Sequence, residues 1–120
     1  MSSSSSSSGT NPFAPPPAAI SATTAQLINI KSHVSVVLDL GGDNFGTWRT
    51  FFLIAFRKSG LMDHVDGTVD ARLQFDDTEW IQIDICIVSW LYSTLSDELL
   101  SAVIQPNDDA YTVWSTIGSQ

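Results

Sequence analysis

The sequence predicts a mainly α fold: a small bundle of about four helices over residues 31–120, entered through a short extended segment and preceded by an unfolded tail. Three observations carry this expectation. Apolar residues recur at three- and four-residue steps in segments beginning near Phe45, Thr78, Ser96 and Ala110. A residue able to cap a helix stands at the start of three of them, Asp43 or Asn44, Ser96, and Asn107 or Asp108. Residues 1–30, by contrast, hold no Asp, Glu, Lys or Arg, and include a serine run at Ser2 to Ser8 with Pro12, Pro15, Pro16 and Pro17. Such a stretch buries too little apolar surface to offset the entropy of ordering it, which predicts disorder through residue 30. The serines could accept phosphate, although a low-complexity tail without a role of its own is the simpler reading.

The extended segment comes first. Val34, Val36, Leu38 and Leu40 alternate with His33, Ser35 and Asp39, with Val37 the exception, which is the period of a half-buried strand-like stretch. Gly41 and Gly42 then supply a turn. The first helix spans about Phe45 to Ser59, with Asp43 or Asn44 as its cap and Gly60 as its left-handed stop. Phe45, Trp48, Phe52, Ala55 and Phe56 share one face, and Arg57 and Lys58 complement the negative end of the helix dipole. A short connection with an Asp66-Gly67 turn and an irregular acidic loop from Thr68 to Asp77 follow.

The second helix starts near Asp77 or Thr78. Trp80, Ile83, Ile87, Trp90, Leu91 and Thr94 form its apolar face, while Gln82, Asp84 and Ser89 are expected on the other side. The isoleucines from Ile81 onward would also suit a strand through Val88. The helix is preferred because the apolar pattern outruns any usual strand. Ser96 caps a third helix, with Asp97 and Glu98 in its first turn and Leu99, Leu100, Val103 and Ile104 as its apolar side, and Pro106 ends it. Asn107 or Asp108 caps a fourth, where Ala110, Val113, Trp114 and Ile117 fall at i, i+3, i+4 and i+7. Nothing after Ile117 is expected to close its last turn against a core, which suggests a domain truncated at its C-terminus.

The formal charge of −8 is unevenly placed. Lys31, Arg49, Arg57 and Lys58 outnumber Asp39 and Asp43 between residues 31 and 60, but beyond Leu61 only Arg72 opposes eleven acidic residues. That balance argues against gripping a phosphate backbone. Cys86 is the only cysteine, so neither an internal disulfide nor a cysteine-built zinc site is expected, and a reducing, cytoplasmic setting follows. The N-terminus has no signal-peptide pattern or myristoylation start, and no apolar run reaches the roughly 18 residues of a membrane span.

No catalytic constellation emerges. Gly41 to Gly46 is glycine-rich before a helix, yet Thr47-Trp48 stands where a phosphate loop needs Lys and then Ser or Thr. Asp63-His64-Val65-Asp66 invites a metal, but there is no second His or Cys cluster to complete three or four ligands, and a solvated loop is expected instead. His33 lies on the polar side of the extended segment, with only Ser32 and Ser35 near it. Cys86, amid Ile85, Ile87 and Val88, is expected to behave as a small buried apolar residue. The four tryptophans fit a helical core, and any exposed one would mark an assembly contact.

The run Leu38-Asp39-Leu40-Gly41-Gly42-Asp43-Asn44-Phe45-Gly46-Thr47-Trp48-Arg49, followed by Gly60-Leu61-Met62-Asp63-His64-Val65-Asp66-Gly67-Thr68, resembles the N-terminal Gag region of plant Copia-type LTR retrotransposons. Trp80, Asp84, Val88-Ser89-Trp90-Leu91-Tyr92-Ser93-Thr94-Leu95-Ser96 and Ala110-Tyr111-Thr112-Val113-Trp114 continue the resemblance in order and approximate spacing, so that it covers about Leu27 to Gln120. The resemblance implies a helical, capsid-like domain that assembles with other Gag chains into particles that package RNA. That family normally continues with further helices and often a Cys-His zinc knuckle. Neither is in this sequence, so direct nucleic-acid binding is not expected of it. The expectation is a non-enzymatic, truncated Gag-like structural protein without cofactor, metal, membrane or small-molecule substrate. Its alternative is a host-adapted module that takes a partner peptide or helix into an exposed apolar groove.

Overall fold

A computed structural model of the chain describes residues 19–120. It is a mainly α structure with five helices: α1 (Ala22–Leu27), α2 (Phe45–Ser59), α3 (Thr78–Ser93), α4 (Asp97–Val103) and α5 (Ala110–Gly118). Single 3-10 turns at Ile30–Ser32, Met62–His64 and Ala71–Leu73 punctuate the connections. The fold class expected from sequence is thus present, with one helix more than expected. That helix, α1, lies where the tail was expected to continue. The expectation for residues 1–18 falls outside the described residues.

Two contacts order α1 despite its uncharged sequence. Ser21 Oγ accepts the Thr24 N–H at 3.1 Å as a local cap. Across the fold, Glu79 Oε2 accepts the Ala22 N–H at 2.6 Å and so satisfies a helix-start amide from α3. Ala22 and Ala25 are buried, and with no side chain beyond Cβ they let α1 lie close to α3.

The extended segment alternates as expected at Val34, Val36 and Leu38, with Val34 and Leu38 buried. Leu40 breaks the pattern and is exposed, because the turn through Gly41 has already begun. In place of a strand there is one parallel bridge: Leu38 N–H donates to Thr94 O and Ser96 N–H to Leu38 O, both at 2.8 Å. Asn44 precedes α2 but makes no side-chain cap; its Nδ2 instead donates to Val37 O at 2.8 Å and ties the extended segment to the helix start.

The end of α2 is set by Gly60, with φ +71°. Gly60 N–H donates to Arg57 O and Leu61 N–H to Phe56 O, the paired bonds of a left-handed helix stop, and Phe56 and Leu61 are both fully buried beside them. Aromatic rings join α2 to α5. Trp114 stacks on Trp48 at 5.5 Å and meets Phe52 and Phe56 edge-on at 6.1 and 5.6 Å.

Helix α3 is the axis of the fold, with α1 and α5 packed against it and Ile83, Ile87 and Leu91 buried beneath them. The helical reading of Ile81 to Val88 is correct. Asp77 caps α3 through the Trp80 N–H, and Ser96 caps α4 through the Leu99 N–H. For α5 the cap is Asp109, which accepts the Thr112 N–H at 2.8 Å, and not Asn107 or Asp108. Asn107 instead takes φ +63° in the turn. Ser119 and Gln120 donate their backbone N–H groups to the carbonyls of Thr116 and Ile117 at the end of α5.

Thr94 joins three of these parts. Its hydroxyl accepts the Trp48 indole N–H at 3.0 Å and lies 2.9 Å from Leu91 O, while its carbonyl holds Leu38. Thr94→Val should leave the buried indole N–H unpaired and cost about 2 kcal/mol, a melting temperature about 10 °C lower by circular dichroism. The same substitution should cost much less in a Trp48→Phe background.

Candidate functional site

The residues that carry the sequence resemblance fall into two groups. Leu38, Gly41, Gly42, Asn44, Phe45, Trp48 and Trp114 meet where the extended segment, the start of α2 and α5 come together. Leu61, His64, Trp80 and Asp84 meet where the connection after α2 crosses α3, with Gly60 at its start. Gly67 sits close by at φ +83°, where a Cβ would come within 3.2 Å of the Tyr111 ring. Trp90 and Leu91 lie apart from both, buried along α3.

The second group is the most elaborate polar site in the fold. His64 is 3% exposed and Asp84 6%, and His64 Nδ1–H donates to Asp84 Oδ1 at 2.8 Å. Asp84 Oδ2 accepts the Ala110 N–H at 3.0 Å, at the first residue of α5. The carboxylate therefore faces the positive end of that helix and answers one of its unpaired amides. The His64 ring stacks on Trp80 with centroids 4.2 Å apart and planes 14° apart. The Trp80 indole N–H is buried and has no acceptor among the described residues.

Two expectations are corrected here. Asp84 does not face away from the core, because it lies four residues after Trp80 and three before Ile87, on the same helical stripe. The Asp63 to Asp66 stretch is not a solvated loop, because His64 and Val65 are buried and only the aspartates reach water. No three His, Cys, Asp or Glu side chains group as a metal site among the described residues. Through these hydrogen bonds the pair links the α2–α3 connection, α3 and the start of α5.

Cys86 lies half-buried on α3, at the edge of a groove of about 570 Å³ between α1 with the Ile30–Ser32 turn and α3. Ile28, Ile85 and Trp90 give the groove apolar walls, and Gln26, Asn29, Lys31 and Gln82 give it polar ones. Burial pushes the Cys86 thiol above its ordinary value. A second hollow, of about 450 Å³, lies between the acidic loop and the start of α5, lined by Asp70, Arg72, Asp109 and Tyr111 among others. Hydrogen bonds from Arg72 to Asp70 hold that carboxyl below the usual carboxylate range. No described helix is long and apolar enough to cross a membrane.

Removing Asp84 by Asp84→Ala leaves the His64 Nδ1–H and the Ala110 N–H without an acceptor. The expected loss is about 3 kcal/mol, or about 15 °C in thermal melting, against less than about 0.5 kcal/mol for the neighbouring Asp63→Ala. Because its pKa is raised, Cys86 should hold less thiolate than a free cysteine at any neutral pH. Alkylation by iodoacetamide should be slower than that of a free thiol, with a pH midpoint displaced upward. No known family model, curated protein or solved structure matches the chain.

Proposed function

We propose that this chain is a non-enzymatic structural protein that associates with copies of itself in the cytoplasm, as its resemblance to the N-terminal Gag region of Copia-type retrotransposons implies. The observation that supports this reading is the apolar surface left outside a well-filled core. Leu73 and Phe75 are 68% and 80% exposed, and Phe51, Ile54, Ile85 and Tyr111 are exposed on three different helices. Single exposed apolar residues are ordinary, but large ones distributed over several faces suit a protein that meets more than one neighbour. The braces that hold α1, α3 and α5 together keep those faces in fixed relation, as an assembling unit requires.

A second reading is a module that receives a partner peptide or helix, and the groove between α1 and α3 favours it. Its length along α3, from Gln82 to Ser93, suits a short apolar helix. The two readings separate in solution. Under the assembly reading, sedimentation velocity of the full chain shows a weight-average mass that climbs with protein concentration. A chain that remains monomeric at every concentration reached overturns it. Isolation from cells in a saturable one-to-one complex that blocks labelling of Cys86 would favour the groove.

A further inference from the structure

We propose that the outer face of α2 docks on the acidic segment 66–79 of a second copy of this chain, in a head-to-tail contact. The proposal rests on the self-association reading and assigns it two surfaces.

Helix α2 contains no acidic residue, and it carries Arg49, Arg57 and Lys58. Its buried residues, Trp48, Phe52, Ala55 and Phe56, fix which side faces the core. At 100° per residue Thr50, Ile54 and Arg57 lie on the opposite side, and Lys58 and Phe51 continue from Ile54 onto its flank. Phe51 and Ile54 are 36% and 41% exposed there. The result is a helix face with an apolar centre and a cationic end.

The segment from Asp66 to Glu79 is its electrostatic counterpart. Asp66, Asp70, Asp76, Asp77 and Glu79 oppose a single cation, Arg72, which Asp70 already engages at 3.0 Å. Between these acids stand Leu73 and Phe75, the apolar side chains of highest exposure on this connection. Each surface thus pairs apolar groups with charge of one sign, and the signs are opposite. Among the described residues no ion pair links the two surfaces: the ion pairs are His64–Asp84 and Arg72–Asp70, while Asp66, Asp77 and Glu79 accept hydrogen bonds from uncharged groups and keep their charge, and residues 1–30 carry no charged side chain.

A second copy is favoured over a polyanion as the occupant. The acidic segment offers both counter-charge for Arg57 and Lys58 and, between its acids, the exposed Leu73 and Phe75 to meet Phe51 and Ile54, whereas a phosphate backbone offers charge alone. Because the two surfaces differ, the contact is heterologous. Each docked pair leaves one free α2 face and one free acidic segment, so growth continues to an open chain or a closed ring.

This geometry makes a specific demand on variants. Arg57→Glu with Lys58→Glu disables the α2 face and keeps the acidic segment; Phe75→Ser with Asp76→Lys does the reverse. Each variant alone should self-associate at least about tenfold more weakly than the parent chain, read by sedimentation velocity, because like charges now meet. An equimolar mixture should form one-to-one heterodimers and nothing larger, since one intact α2 face and one intact segment remain between them. Circular dichroism melts check that each variant is folded, and Arg57→Gln with Lys58→Gln replaces the first pair if the glutamates disturb the end of α2.

Parent-like association in either variant, or a mixture that does not pair, overturns the proposal while leaving self-association standing. A parent chain that stays monomeric removes both. Loss of homopolymer RNA retention at low salt in Arg57→Glu with Lys58→Glu, with association unchanged, also overturns it and assigns the α2 face to nucleic acid.

Discussion

Two carboxylates on one helix set the arrangement of the others. Glu79 and Asp84, five residues apart on α3, accept the Ala22 and Ala110 amides at the starts of α1 and α5. The amides at a helix start have no partner within the helix, and a carboxylate both accepts their hydrogen bond and answers the dipole. Apolar packing of Ile83, Ile87 and Leu91 supplies the larger share of the driving force, but it is not directional. The carboxylates supply the direction, specifying which end of each neighbour meets α3 and at what height. His64 adds a third element, since its bond to Asp84 draws the α2–α3 connection into the same knot.

A comparable division of labour holds at the other end of the molecule. The aromatic rings of Trp48, Phe52, Phe56 and Trp114 fill the space between α2 and α5, while the Thr94 hydroxyl and the Leu38 bridge place α2 and the extended segment against the end of α3. Arg49 lies 5.9 Å from the Trp114 ring centre, so even the half-exposed edge of this cluster has a cationic cover. The glycine-rich turn serves this junction: it reverses the chain so that Asn44 can reach back to Val37.

What was legible in the sequence was whatever depended on neighbours. The limits of α2 at Phe45 and Ser59 follow from apolar spacing and from Gly60, and the start of α3 near Asp77 or Thr78 and the cap at Ser96 are local signals that the structure bears out. What was missed depended on partners distant in the chain. Helix α1 was hidden by a composition poor in charge, and the carboxylate that anchors it stands 57 residues later. Asp84 is expected on the polar side with Gln82 and Ser89, although Trp80, Asp84, Ile87 and Leu91 follow i, i+4, i+7 and i+11. The spacing alone places it on the buried stripe, where the Ala110 N–H and His64 supply the partners a buried carboxylate needs. His64 was likewise judged as a possible ligand or loop residue, because its partner lies 20 positions away. Asn107 and Asp108 were plausible caps; a left-handed residue at Asn107 delays the start of α5 to Asp109.

The docking of α1 has a consequence for cooperativity. A helix of six residues has too few internal hydrogen bonds to persist alone in water, so α1 is helical only while α3 holds it. Its own contribution to the core is two buried alanines, and it is tied in by one distant carboxylate and a backbone bond from Ile20 to Ser59. The segment is therefore the natural first unit to exchange its amide hydrogens, opening sub-globally while the rest stays folded. Each opening removes one wall of the groove above Cys86, which couples solvent access at that thiol to the integrity of a helix far upstream in the chain.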